Sequence, residues 1–136
     1  PQHIWGNMIF LAALGDMLEK SIGHGRFFAI YMLAGIGGNL LSMGHELATG
    51  QFCSTIGASG AVFGLIGALL LLICKNNGTY GQISFRRMIF AIVYLFYSGI
   101  QSETTNNMAH LGGFITGFAV MAVFYCITRR RYKRIR

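Results

Sequence analysis

Apolar residues gather along this chain in five stretches, at about 4–18, 27–43, 60–74, 88–100 and 109–128, separated by short polar or glycine-rich connections. Several are shorter than the ~20 residues of a full membrane crossing, so no single stretch identifies its own solvent. The polar positions between them do. Lys20 and Arg26 lie between the first and second stretches, and Lys75, Arg86 and Arg87 between the third and fourth. The other six basic residues follow the fifth stretch, in the tail 129–136, which reads RRRYKRIR. The remaining connections, 45–56 and 101–108, contain neither Lys nor Arg. All 11 basic residues therefore fall on one side of a five-span weave, as retention of positive charge on the cytoplasmic side predicts. The chain is expected to start outside, to end in a basic cytoplasmic tail, and to cross as helices, because an isolated apolar strand leaves its backbone unsatisfied in lipid. An odd number of spans that opens outside on Pro1, without a signal region, predicts an earlier span in a longer protein.

Composition supports lipid as the solvent. Hydrophobic residues make up 54% of the 136 positions and charged residues only 11%, against about 25% charged in a soluble domain. The net charge of +7 does not predict a nucleic-acid partner, because the excess sits in a flank directly after an apolar run. Cys53, Cys74 and Cys126 have no CxxC spacing and no histidine partners, so neither a disulfide framework nor a metal site is expected. No phosphate-cradling loop or HExxH occurs, and no cofactor is implied.

The third stretch holds the candidate chemistry. Residues 55–68 read TIGASGAVFGLIGA, a density of glycine that costs a soluble helix about 1 kcal/mol per residue relative to alanine. Gly60, Gly64 and Gly67 share one helix face, and the fifth stretch has a matching face in His110, Gly113 and Gly117. Small residues on facing membrane helices let their backbones approach closely. From Gly60 to Cys74 a helix spans only ~22 Å of a ~30 Å hydrocarbon core. Ser59 is therefore expected below the outer surface, at a cavity open to the outside, because non-helical backbone at that depth must be buried or line a wet space.

His110 heads the opposite stripe at the same depth. Intramembrane histidines are costly and usually have a task in the bundle interior. A serine beside an imidazole is an activatable nucleophile, with the ring taking the hydroxyl proton and returning it to the leaving group. The bland alternative, a hydrogen bond that merely ties two helices, stays open on this pair alone. His3 and Asn7 add side-chain N–H donors one helical turn apart at the outer end of the first stretch, suited to an oxyanion. Asp16 and Glu19 lie near the inner end, and Glu46 and Glu103 are expected solvated in outer loops, so a Ser–His dyad without an aspartate is the economical reading.

Taken together, GASG around Ser59, AHLGG with His110, HxxxN from His3 to Asn7, LGDMLEKSIGHGRF and GIGGN (35–39) resemble the rhomboid family of intramembrane serine proteases over nearly the whole chain. The resemblance implies an all-α, polytopic membrane helix bundle with five of the six core transmembrane helices present here. It implies a serine endopeptidase in which Ser59 attacks peptide bonds in or near transmembrane segments of membrane proteins and His110 is the base. The Ser59 N–H, His3 and Asn7 would form the oxyanion hole, with Gly57, Gly60, Phe63, Gly113 and Gly117 supporting. Phe63 stands where many members have a tyrosine packed on the histidine ring; it keeps a ring and lacks the hydroxyl. Glu19 matches a glutamate that anchors the inner end of the second helix. The fourth stretch, with Phe90, Tyr94, Phe96 and Tyr97, corresponds to a helix discussed as a lateral gate. The implied partners are transmembrane protein substrates and membrane lipid, and the expected location is multi-pass in a bacterial cell membrane. A non-catalytic scaffold for transmembrane helices and a channel or transporter fragment are the competing readings.

Overall fold

The computed structural model describes residues 2–52, 58–101 and 105–128, with side chains from Trp5 onward. The first apolar stretch folds as α1 (Gln2–Phe10), a π-helical turn (Leu11–Gly15) and α2 (Asp16–Ile22). The extra residue of the π turn changes the face that α1 presents relative to α2. Gly15 fits there because it faces the Phe27 ring, 3.3 Å from where a Cβ would stand. Gly23, at φ +89°, ends α2, a conformation that costs glycine little. Helix α3 (His24–Thr49) starts at the next residue, and the His24 ring pairs with Glu19 across the turn.

Helix α3 runs past residue 43 until Gly50, at φ +70°, caps it by donating to the Glu46 carbonyl at 2.8 Å. His45 and Glu46, expected in an outer connection, are therefore helical. The text His45-Glu46-Leu47-Ala48 contains no helix breaker. Glu46 is half-buried and accepts from Ser42 at 3.2 Å, which corrects its expected solvation; Glu103 lies outside the described residues.

Helix α4 (Ser59–Lys75) is followed by a small antiparallel hairpin, β1 (Thr79–Tyr80) with β2 (Ile83–Ser84), in which Thr79 pairs with Ser84 and Tyr80 with Ile83. The hairpin departs from an all-helical expectation because Gly78 and Gly81 take positive φ and reverse the chain. Helices α5 (Phe85–Ile100) and α6 (Asn107–Ile127) complete the described chain.

The core is α4. It is buried on nearly all sides from Ala61 to Ile73, with α3 running antiparallel and α6 parallel to it. Leu65, Ile66, Leu69, Leu72 and Ile73 pack there with Leu18, Ile30 and Met121. The outer surface is also apolar, with Phe28, Ile36, Leu47, Phe90, Tyr94 and Ile127 among the exposed large side chains. Among the described residues the buried polar ones are Ser42 and His110. An apolar skin around an apolar core suits lipid, which does not penalise exposed leucine and phenylalanine as water does. Helices α3 and α6, of 26 and 21 residues, are long and apolar enough to cross a membrane. At one end of the bundle Arg26 lies 5.9 Å from the Phe124 ring centroid and Lys75 lies 5.8 Å from that of Tyr125. The start of α4, the start of α6 and the end of α3 meet at the other.

Candidate active site

The glycine stripes of α4 and α6 lie against each other. A Cβ on Gly113 would overlap the Gly60 carbonyl, and one on Gly117 the Gly64 carbonyl. A Cβ on Gly60 would stand 3.2 Å from the Ala109 carbonyl oxygen. Backbone thus touches backbone along this seam, an approach open only to glycine. Ser59 precedes Gly60 and His110 follows Ala109, so both residues flank the seam in sequence.

One turn after Ser59, the Phe63 ring stacks on the His110 imidazole, with centroids 4.1 Å apart and planes 11° from parallel. Phe63 also meets the Phe96 ring of α5, edge-on at 5.1 Å and 68°. His110 is 7% exposed and Ser59 is half-buried. Among the described residues no hydrogen bond joins Ser59 to His110.

Capping differs between the two helix starts. Asn106 caps α6, its Oδ1 accepting the Ala109 N–H at 3.0 Å. Ala58 precedes α4 and has no polar side chain, so α4 opens without a side-chain cap. The first amides of an α-helix have no intrahelical acceptor and mark the positive end of its dipole. At α4 those amides belong to Ser59 and the residues after it, a ready place for negative charge.

Asn7 is half-buried on α1, and its side chain makes no hydrogen bond among the described residues. The side chain of His3, and Gly57, lie outside the described residues. Of the GIGGN residues, Gly35 faces Ala61, Gly37 makes room for Thr116, and Gly38 meets the Ala109 carbonyl oxygen at 2.5 Å from where its Cβ would stand. Asn39 lines a groove of about 270 Å³ between α3 and α4 that reaches Ala58 and Gly60.

Sequence reasoning missed the part played by α3. Ile30, Ala34, Gly38 and Ser42 are its buried residues, spaced by four. That spacing was a readable signal, a small-residue stripe from Ala34 to Ser42. It places Gly38 against Ala109 and joins Ser42 to the Asn106 side chain by a hydrogen bond.

Comparison with known proteins identifies a family. The Rhomboid domain matches residues 1–127. The chain is 38% identical over 124 residues to RHOMBOID-like protein 1 of Arabidopsis thaliana, covering 90% of this chain and 31% of that protein. It is 33% identical over 120 residues to Rhomboid protease GluP of Bacillus subtilis, covering 88% and 23%. With the Putative rhomboid protease YdcA of the same organism it shares 30% over 132 residues, covering 96% and 64%. The chain thus spans about a third of the length of the first of these relatives. No solved structure matches it. Apolar helices around a glycine-lined seam and a domain match over almost the full length lead to one assignment: this chain belongs to the rhomboid family.

Proposed function

We propose that this chain is the catalytic part of an intramembrane serine endopeptidase that cleaves peptide bonds in or near transmembrane segments of membrane proteins. The observation that carries the proposal is the Phe63–His110 stack, one helical turn from Ser59, beside a backbone seam that runs through Gly60 and Ala109. His110 takes the Ser59 hydroxyl proton as the oxygen attacks the substrate carbonyl, then protonates the leaving amine. Water repeats the sequence on the acyl-enzyme. Hydrogen bonds between catalytic groups are often long before substrate arrives and shorten in the complex.

The tetrahedral oxyanion is held by the Ser59 N–H at the uncapped start of α4, with Asn7 and His3 as further donors. Phe63 holds the imidazole plane by stacking and supplies no hydroxyl. The five apolar stretches correspond to five of the family's six core helices, with the Ser59 end outside and the basic end cytoplasmic. The family's activity is that of a serine protease, and relatives named as proteases support that reaction class.

The test is turnover of a transmembrane substrate by the reconstituted full-length protein. Ser59→Ala and His110→Ala are each expected to lower kcat by about a thousandfold or more. Cleavage by Ser59→Ala at the parental rate would end the proposal.

A further inference from the structure

Asn106 is bonded in two directions at the head of α6. Its Oδ1 accepts the Ala109 N–H at 3.0 Å, and its backbone carbonyl accepts the His110 N–H at 3.2 Å. Its Nδ2 donates to Ser42 Oγ on α3, a residue 64 positions earlier in the chain. Ser42 is 3% exposed and donates in turn to Glu46 Oε1, one turn further along α3, at 3.2 Å.

The order of donors follows from the groups. A carboxylate can only accept, so the one proton of Ser42 goes to Glu46. Ser42 must then accept from Asn106, which turns the amide NH2 toward α3. That leaves Oδ1, and no other atom of the side chain, to cap α6. Glu46 and Ser42 thus set the orientation of the amide on which the first turn of α6 rests. The same turn is pinched from two sides, because the Ala109 carbonyl lies against Gly38 of α3 and Gly60 of α4. His110 is the next residue.

We infer that Asn106, held by Ser42 and Glu46, is a positioning residue for His110. It fixes the rotation of the first turn of α6 and hence the separation across which the imidazole meets the Ser59 hydroxyl. It acts through His110 and takes no part in proton transfer. The inference rests on the Ser59–His110 reading given above.

The experiment uses the full-length protein in liposomes. A fluorophosphonate counts the active Ser59 sites, and turnover of a transmembrane substrate is expressed per counted site. Asn106→Ala is expected to lower kcat per site about tenfold, with KM unchanged within about twofold, since small misplacements of catalytic groups act on the chemical step. Asn106→Asp keeps an oxygen for the Ala109 N–H and loses the donor to Ser42. Ser42→Ala loses the same bond from the other side. These two variants should agree, each about threefold below the parent. The double variant Ser42→Ala, Asn106→Ala should be no worse than Asn106→Ala alone, because both act through one cap.

A purely structural role would lower the number of counted sites and leave kcat per site at the parental value; that result overturns the inference and leaves the dyad intact. Should Asn106→Ala not fold, parental kcat per site in both Asn106→Asp and Ser42→Ala is likewise fatal to it. If the parent is not labelled, or Ser59→Ala cleaves at the parental rate, the dyad reading falls and the inference falls with it.

Discussion

The seam among α3, α4 and α6 and the edge between α4 and α5 are built from different materials. In the seam, Gly38, Gly60, Gly64, Gly113 and Gly117 bring main chain onto main chain. At the α5 edge, Phe96 meets Phe63 ring against ring, while Phe90, Tyr94 and Tyr97 point away from the bundle. Main-chain contacts have no rotamers through which to relax. Ring contacts can tilt and slide at a cost of about 1 kcal/mol. Only the seam can therefore fix a separation between two helix ends closely enough for chemistry. The residues proposed for catalysis, Ser59 and His110, both flank the seam, whereas α5 approaches them through the Phe63 ring and, at Gly99, through the Asn107 side chain at the head of α6.

That difference predicts the largest effect at Gly113. A Cβ there would overlap the Gly60 carbonyl, with Gly60 Cα close behind, so both obstacles are backbone and neither can move aside. Relief requires α4 and α6 to part. Gly113→Ala is expected to cost about 3 kcal/mol, read as a fall in thermal unfolding midpoint in detergent. Activity per folded molecule should fall about a hundredfold. Parental stability in this variant would mean that the seam has slack after all.

This seam was legible in the sequence because glycine at 60, 64 and 67 and again at 113 and 117 has few purposes in an apolar helix other than close approach. The family was legible for a related reason: GASG, AHLGG and HxxxN are short motifs set at fixed distances from one another. The third partner was harder to see. On α3 the buried face reads Ile30, Ala34, Gly38, Ser42, and its mixture of large, small and polar residues makes the four-residue period less conspicuous than a run of glycines. The tie from Ser42 to Asn106 spans 64 positions, and no local pattern encodes a hydrogen bond over that separation. Glu46 was misjudged because an acidic residue beyond an apolar run reads as a loop, whereas the helix continues to the first glycine able to stop it.

Phe63 joins the two regions, so cutting on either side of it measures each separately. Phe63 is 6% exposed between the imidazole and the Phe96 ring. Phe63→Ala should cost about 2 kcal/mol, mostly for the cavity, since lipid offers little of the transfer penalty that water would. It should also lower kcat about tenfold by freeing the imidazole plane. Phe63→Tyr keeps the ring and should stay within about twofold of the parent. Phe96→Ala removes only the edge-on contact, for about 1 kcal/mol, and should change kcat by less than about threefold. Equal losses in Phe63→Ala and Phe96→Ala, measured side by side, would mean that α5 holds the site as firmly as α6 does.

The smallest effect carries the contrast into a single helix. Gly38 and Gly44 both belong to α3, less than two turns apart. A Cβ on Gly38 would press on the Ala109 carbonyl at 2.5 Å, while one on Gly44 would have nothing within 4 Å. Gly44 therefore has no close approach to protect, and its flexibility only weakens the helix. Gly44→Ala should raise stability by about 0.5–1 kcal/mol and leave turnover unchanged, as thermal unfolding and substrate cleavage would register together. Gly38→Ala should lower both stability and turnover. If Gly44→Ala is destabilising instead, another surface covers that face of α3 in the intact protein, and the boundary of the seam must be redrawn to include it.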